Sequence, residues 1–387
     1  MLLAKALAVF HAAQFLLGVE AQCAQPNPVP APWSTFSNNR VFQPGSDYTS
    51  WRTIYARSLQ LPDWSLLMTW EDYAPEPQTG ARFPVYRSTD GGATWSSYSE
   101  IRDTVNGWGL RFQPHLHILK DGFAGFPSGT ILAAGAAVPA DLGQAFIELY
   151  ASTDNGTSWF FVSHIAWGAG PETVGNGNDA IWEPFLLQDG NTIVAYYSDQ
   201  RDPAHAQKLV HVTSTDLRNW SNPVNDVTYS DFGARPGMAV VAKIGNTGRY
   251  IMVYEFCGLP GCQVYYKVAT SPYSFGAVAG NPVIANDGSE LYSAPYVIWT
   301  PNQQRNDGSG LIMISGASRE QLFVNDDNAS TTAFRLVDIG QWTSHSRQLS
   351  IISSDNQNRL MVSNGGQMNS ASIPCNFVAT GIVNIPT

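Results

Sequence analysis

The chain has 387 residues, 44% of them hydrophobic and only 13% charged, with 34 Gly and 24 Pro. These proportions exclude a disordered or mainly helical chain and describe a loop-rich β protein with a large core. Thirty-one Asp+Glu against 21 Lys+Arg give a net charge of -10, which argues against nucleic acid as a partner and leaves a neutral ligand unopposed.

Residues 1–21, MLLAKALAVFHAAQFLLGVEA, join an early Lys5 to an apolar stretch and a small-residue end, the pattern of a secretory signal peptide. That leaves 22–387 as the mature domain. No later run reaches the ~18 apolar residues of a membrane span, so a secreted, soluble protein with no membrane partner is expected, and we read it as a monomer.

From residue 55 onward one pattern repeats. YARSLQL (55–61) and SLLMTWED (65–72) precede the turn phrase STDGGATW (88–95). FQPHLHIL (112–119) and GTILAAG (129–135) precede STDNGTSW (152–159), and IWEPFLL (181–187) and TIVAYYSD (192–199) precede STDLRNW (214–220). GARPGMAVV (233–241) and YIMVYEF (250–256) come before ATSPYSF (269–275), a looser relative of the turn phrase. SAPYVIW (293–299) with LIMISG (311–316), and HSRQLSII (345–352) with RLMVSN (359–364), complete six pairs. Short apolar runs bounded by Gly, Asp and Asn are the signal of buried strands. In the turn phrases Ser88, Asp90 and Thr94 suit bonds to their own backbone, Gly91 and Gly92 suit positive φ, and Trp95 is an apolar anchor. Such Asp-box turns are structural staples. A period near 60 residues therefore predicts an all-β, six-bladed β-propeller of four-stranded antiparallel blades.

Antiparallel pairing sets the start of the first strand of each pair beside the end of the second, so polar residues there collect at one mouth of the ring. Arg57, Gln113, Glu183, Arg235 and Arg347 stand at the starts, and Glu71, Asp199 and Glu255 at the ends. Glu183 (IWEPF) and Glu255 (VYEFC) lie in apolar and aromatic phrases, where an unpaired carboxylate is costly to bury, and on consecutive blades. Two facing carboxylates are the apparatus of glycoside hydrolysis. Ion pairing of each with a neighbouring arginine is the competing reading. Arg57 and Arg235 suit sugar hydroxyls or a role in holding the carboxylates, Glu71 and Asp199 suit orienting those arginines, and Trp51, Trp182, Tyr254 and Tyr292 suit stacking on sugar rings.

Cys257 and Cys262 bracket CGLPGC and are expected to form a disulfide, with Cys23–Cys375 as a further candidate. Asn155, Asn219 and Asn328 open N-x-S/T sequons. His115 and His117 share a strand face without a third ligand at a diagnostic spacing, so no metal is assigned and no cofactor is implied. The segments 71–84, 120–129 and 163–181 are candidate walls for one end of a groove.

The Asp boxes, the phrase around Arg57, IWEPF and YEFCGLPGCQVYYK together resemble fungal glycoside hydrolase family 93, the exo-1,5-α-L-arabinanases, propellers related to sialidases, over essentially the whole mature chain. The resemblance implies a retaining exo-enzyme that releases arabinobiose from the non-reducing end of linear α-1,5-arabinan. It makes Glu183 the general acid/base and Glu255 the nucleophile. Two other classes stay open: a sialidase-like enzyme with an arginine cluster and Tyr254 as nucleophile, and a non-catalytic carbohydrate-binding propeller.

Overall fold

A computed structural model describes residues 28–75, 80–170, 179–258, 261–302, 304–305, 308–354, 357–368 and 376–386. The signal-peptide segment, Cys23 and Cys375 lie outside them. Twenty-four strands form six four-stranded antiparallel sheets. No helix among the described residues is long and apolar enough to cross a membrane.

Blade 1 is β2 (Thr53–Gln60), β3 (Leu66–Asp72), β4 (Arg82–Ser88) and β5 (Ser96–Arg102). Blade 2 is β6 (Leu110–Ile118), β7 (Ile131–Ala137), β8 (Ala145–Ser152) and β9 (Phe160–Gly168). Blade 3 is β10 (Ile181–Asp189), β11 (Thr192–Asp199), β12 (Lys208–Ser214) and β13 (Val224–Val227). Blade 4 is β14 (Arg235–Ile244), β15 (Arg249–Cys257), β16 (Gln263–Ala269) and β17 (Asn281–Pro282), and blade 5 is β18 (Tyr296–Pro301), β19 (Gly310–Gly316), β20 (Arg319–Asn325) and β21 (Arg335–Val337). The sixth is composite: β22 (Gln348–Ser354), β23 (Gln357–Asn364) and β24 (Val378–Asn384) accept β1 (Phe36–Phe42) from the other end of the chain as their outer strand. This pairing closes the ring with main-chain hydrogen bonds between the two ends of the described chain and covers the edge of β24.

The second strand of each blade is sandwiched between neighbouring sheets, which is why its apolar run is continuous rather than alternating. β7 is buried at every residue and β3 at all but the last. Outer strands face water, as in β5, where Ile101 alone is buried. Core clusters occupy the seams between blades: Leu59, Leu67 and Val85 of blade 1 meet Leu116, Ile131 and Tyr150 of blade 2, while Met68 and Trp70 meet Met361 and Val378 of blade 6.

The Asp boxes lie in the turns between third and fourth strands, at the end of the ring away from the mouth. Asp90 accepts the Thr94 N–H (2.9 Å) and hydroxyl (2.6 Å), and Ser88 Oγ accepts the Gly92 N–H (2.8 Å). Asp154 treats Ser158 the same way, and Asp216 accepts two backbone N–H groups at Arg218 and Asn219. Blade 5 carries another such turn that the sequence phrase does not suggest. There Asp327 accepts the Thr331 N–H and hydroxyl, with Asn325 in the place of the serine. In ATSPYSF no carboxylate is present, and a short 3₁₀ turn, Phe275–Ala277, follows instead.

Candidate active site

Every first strand starts with a non-glycine residue in the left-handed backbone region: Tyr55, Gln113, Glu183, Met238, Ala294 and Ser346, with φ between 48° and 60°. In the first four blades the residue sits in a break of the strand register, between Ile54 and Arg57, Phe112 and His115, Trp182 and Phe185, and Gly237 and Val240. Left-handed non-glycine residues cost free energy and persist where the surroundings fix them. At Gln113, Met238 and Ala294 the backbone N–H points into the seam and donates to the preceding blade. Tyr55, Met238 and Ala294 also pack together, with Trp51 and Tyr73 against them, and plug the ring axis.

Three glutamates use these donors. Glu71 Oε2 accepts the Gln113 N–H (3.0 Å), Glu183 Oε2 the Met238 N–H (2.8 Å), and Glu255 Oε2 the Ala294 N–H (2.8 Å). Each takes a hydroxyl as well: Tyr73 on Glu71, Ser198 on Glu183 (2.7 Å) and Ser293 on Glu255 (3.1 Å). For Glu183 and Glu255 both bonds fall on Oε2. A methyl placed on Gly237 would stand 3.4 Å from Oε2 of Glu183 and 3.6 Å from Oε1 of Glu255. Those two oxygens are therefore no further apart than the sum of these distances, about 7 Å. The missing side chain of Gly237 is what leaves the gap between the carboxylates open.

The electrostatic settings of the two differ. Glu183 is pushed up to about 7, first by burial and then by the negative charges of Glu255 and, more weakly, Glu71. Burial also raises Glu255, but the Ala294 N–H, the Ser293 hydroxyl and the Arg235 guanidinium all favour its charged form. Both carboxyls are raised on balance, and Glu183 alone carries the added repulsion of neighbouring carboxylates, while Glu255 has a guanidinium beside it. Burial likewise moves Glu71 up to about 7.

The Cys257–Cys262 disulfide is present at the end of β15. It braces this corner, because the Cys262 carbonyl accepts the N–H of Ser293 (2.7 Å), whose hydroxyl holds Glu255. Glu255 with Cys257 and Cys262 is also the group of potential metal donors that the described residues bring together, but both sulfurs are committed to the disulfide.

The other expected site residues divide. Arg235 stands beside Glu255 and donates to Gln207 (3.3 Å), Trp182 is buried next to Glu183, and half-buried Tyr292 hydrogen-bonds Glu290 at the rim. Arg57 is buried and bonded to the carbonyls of Ala56 and Ser346 and the Ser346 hydroxyl, with its guanidinium 4.0 Å from the Tyr55 ring centroid. Arg347 bonds four carbonyls, those of Gln341, Trp342, Arg319 and Glu320. Two expectations are corrected. Asp199 orients neither Arg57 nor Arg235, since Arg201, two residues on, occupies both of its oxygens. Tyr254 is fully buried in the blade 4 core with its hydroxyl on Tyr229 (2.7 Å), because successive strand residues face opposite ways and Glu255 takes the pocket side.

Among the expected walls, 120–129 joins the end of β6 to the start of β7, which places it at the far end of the ring, where Phe123 and Phe126 enter the core. The described parts of 71–84 and 163–181 join strands at the mouth, while 76–79 and 171–178 fall outside the described residues. His115 packs on Phe185 in the seam between blades 2 and 3 (4.6 Å between rings). Ser198, Gly237, Ser293 and Tyr55 are site residues that the sequence reading does not single out.

No protein-family model matches the chain, and no curated protein sequence matches it. Solved structures do. The GH93 α-L-arabinofuranosidase of Fusarium graminearum, solved with an iminosugar inhibitor and with arabinobiose, is similar with a TM-score of 0.85 and 40% identity over 90% of this chain and 98% of that one. The α-L-arabinanase of Penicillium chrysogenum, complexed with arabinobiose, gives 0.84 and 37% identity, covering 91% and 98%. A Hadza microbial sialidase, at 14% identity and TM-score 0.57 over 90% of this chain and 68% of that one, shares the fold alone. With this identity over nearly the whole length of the Fusarium enzyme, the chain belongs to glycoside hydrolase family 93.

Proposed function

We propose that the protein is a secreted exo-1,5-α-L-arabinanase that removes arabinobiose from the non-reducing end of linear arabinan with retention of configuration. The observation that carries this reading is the convergence of Glu183 and Glu255 on the gap over Gly237, within about 7 Å of each other, with unlike electrostatic neighbours. The approach is compatible with the ~5–5.5 Å between the carboxyl groups of retaining glycosidases.

In this mechanism protonated Glu183 gives its proton to the glycosidic oxygen while ionised Glu255 attacks the anomeric carbon. The C–O bond breaks, the shortened chain leaves with the proton, and a glycosyl ester on Glu255 remains. Glu183, now a base, takes a proton from water, which attacks the same carbon from the vacated side and frees Glu255. Two inversions give net retention. The substrate class draws on the relatives solved with arabinobiose.

The sialidase-like alternative is disfavoured by two placements. Tyr254 is sealed in a blade core, and Arg57 and Arg347 are committed to carbonyls rather than aimed as a cluster at a ligand carboxylate. A purely binding propeller gains nothing from burying two like charges against each other. The test is product release from linear α-1,5-arabinan beside release of sialic acid from a glycoconjugate, with the anomeric proton of the first product followed by NMR. Arabinobiose appearing first as the α-anomer supports the reading; a β-anomer overturns retention, and release of sialic acid alone overturns the substrate class.

A further inference from the structure

Blades 1 and 2 share a register on their outer sheets, yet one is hollow where the other is filled. In blade 2, Tyr150 pairs with Phe161 and Glu148 with His164; at the corresponding rungs of blade 1, Tyr86 pairs with Ser97 and Pro84 with Glu100. The blade 2 set is closed: His164 stacks on Phe146 (4.0 Å between rings), Phe146 on Trp108, and Glu148 is sealed beneath with Tyr150, Asn106 and His164 bonded to it. With serine for phenylalanine and proline for glutamate, blade 1 keeps a cleft of about 350 Å³ between β4, β5 and the segment after β1. That volume is in the range of small-ligand sites.

The lining is mixed. The rings of Phe42, Tyr48 and Tyr86 form an aromatic wall, with Phe42 stacked on buried Trp70 (5.0 Å between centroids). Glu100 pairs with both Arg82 (2.8 Å) and Arg102 (2.6 Å), and the Asp72 carboxyl accepts the Trp70 ring N–H (3.3 Å). Two carboxyls against two guanidinium groups leave the cleft without net charge, and ring faces beside these paired polar groups suit the C–H face and hydroxyls of a neutral sugar. Asp72 follows Glu71 directly along β3 and faces the opposite side of the strand, so cleft and mouth open on the same end of the ring.

We infer that the cleft over Tyr48, Tyr86, Asp72 and Arg82 is an accessory binding site for furanose units of the neutral polysaccharide whose end is cleaved at the mouth. This rests on the arabinan reading above. A chain held there stays beside the active site between cleavages, and the benefit is confined to polymer, since a short oligosaccharide occupies the mouth alone.

The experiment compares the full-length enzyme with two variants: Ser97→Phe, which copies the filled rung of blade 2, and Tyr48→Ala, which removes a ring. Hydrolysis of α-1,5-arabinotetraose and of long linear arabinan is measured, together with retardation in native gels cast with linear arabinan. Both variants are expected to keep oligosaccharide kcat/KM within about twofold, to raise KM for the polymer by up to about tenfold, and to lose retardation, the loss of one ring contact setting the scale. Unchanged polymer KM and retardation in both variants, with oligosaccharide activity intact, overturn the accessory site and leave the proposed function standing. A wild-type enzyme inactive on the tetraose and on the polymer overturns both. Parallel loss on tetraose and polymer places the effect in the mouth or the fold and also overturns the accessory site.

Discussion

The mouth of this propeller has an acidic side, blades 3 and 4, and an arginine side, blades 6 and 1, and the two treat their charges in opposite ways. On the arginine side the guanidinium groups are consumed: Arg347 is wholly buried and spread over four carbonyls, and Arg57 is bonded on both terminal nitrogens. On the acidic side Glu183 and Glu255 are each anchored through Oε2 and border the gap over Gly237, Glu183 with Oε2 and Glu255 with Oε1. Charge at a crowded mouth thus marks chemistry only where part of the group is left unspent. An arginine whose terminal nitrogens are spent on neighbouring carbonyls and hydroxyls is a bracket between blades, and a carboxylate held in place beside an open gap is preorganised and still reactive.

The contrast breaks most sharply at Glu255. Its replacement by alanine is expected to lower kcat on linear arabinan by about 10⁴-fold or more, since the glycosyl ester cannot form without its carboxylate. The thermal midpoint should stay within a few degrees of wild type, because a buried like-charge neighbour of Glu183 is removed. A variant that retains wild-type turnover removes Glu255 from the chemistry.

At Glu183 the expected loss is ~10²–10⁴-fold for Glu183→Gln, the range for general acid catalysis. The acid must be protonated, so activity is present below its value of about 7 and falls as pH rises through it. The nucleophile must be ionised, so activity also falls on the acid side as Glu255 gains its proton. The resulting bell should lose its alkaline limb in Glu183→Gln, and an aryl arabinoside with a good leaving group should recover much of the first step. An alkaline limb that survives the substitution assigns the acid to another residue.

The arginine side predicts the complementary result. Arg347→Ala strands four carbonyls in a buried seam, and each unsatisfied group costs ~1–3 kcal/mol. A fall in stability of about 3 kcal/mol or more, read by denaturant unfolding, should accompany nearly unchanged kcat/KM per folded molecule. A stable but inactive variant moves Arg347 from scaffold to substrate.

Much of this was legible in the sequence because the fold repeats. Buried second strands must be continuously apolar, and six such runs at a steady period give the blade count and place Glu183 and Glu255 on neighbours. What escaped is carried by contacts distant along the chain. The left-handed Tyr55, Met238 and Ala294 have no local signature, being neither Gly nor Asn, and the donors that hold Glu183 and Glu255 come from residues 198, 238, 293 and 294. Tyr254 is a different case: strand alternation alone forbids neighbours on β15 from sharing a pocket, so its burial was within reach of the same reasoning that chose Glu255. Asp199 is engaged by a local arginine, and the closing strand β1 is set by a pairing across the whole described chain.

Gly237 gives the finest test, since it carries no functional group and acts only by what it leaves out. A methyl in its place would meet both carboxylates at ordinary contact distance, but would press to 2.9 Å on Nε2 of Gln207. That amide is bonded to the Pro236 carbonyl (2.9 Å), and its oxygen accepts from Arg235, the cation beside Glu255. Gly237→Ala should therefore shift Gln207, loosen Arg235 and narrow the gap in which the anomeric carbon must sit. The misplacement involved, of the order of 1 Å, is expected to cost about 10²-fold in kcat with a much smaller change in unfolding midpoint. An Ala variant with unchanged kcat shows that the space between the carboxylates is wider than the reaction needs, and the acidic side then owes its reactivity to electrostatics alone.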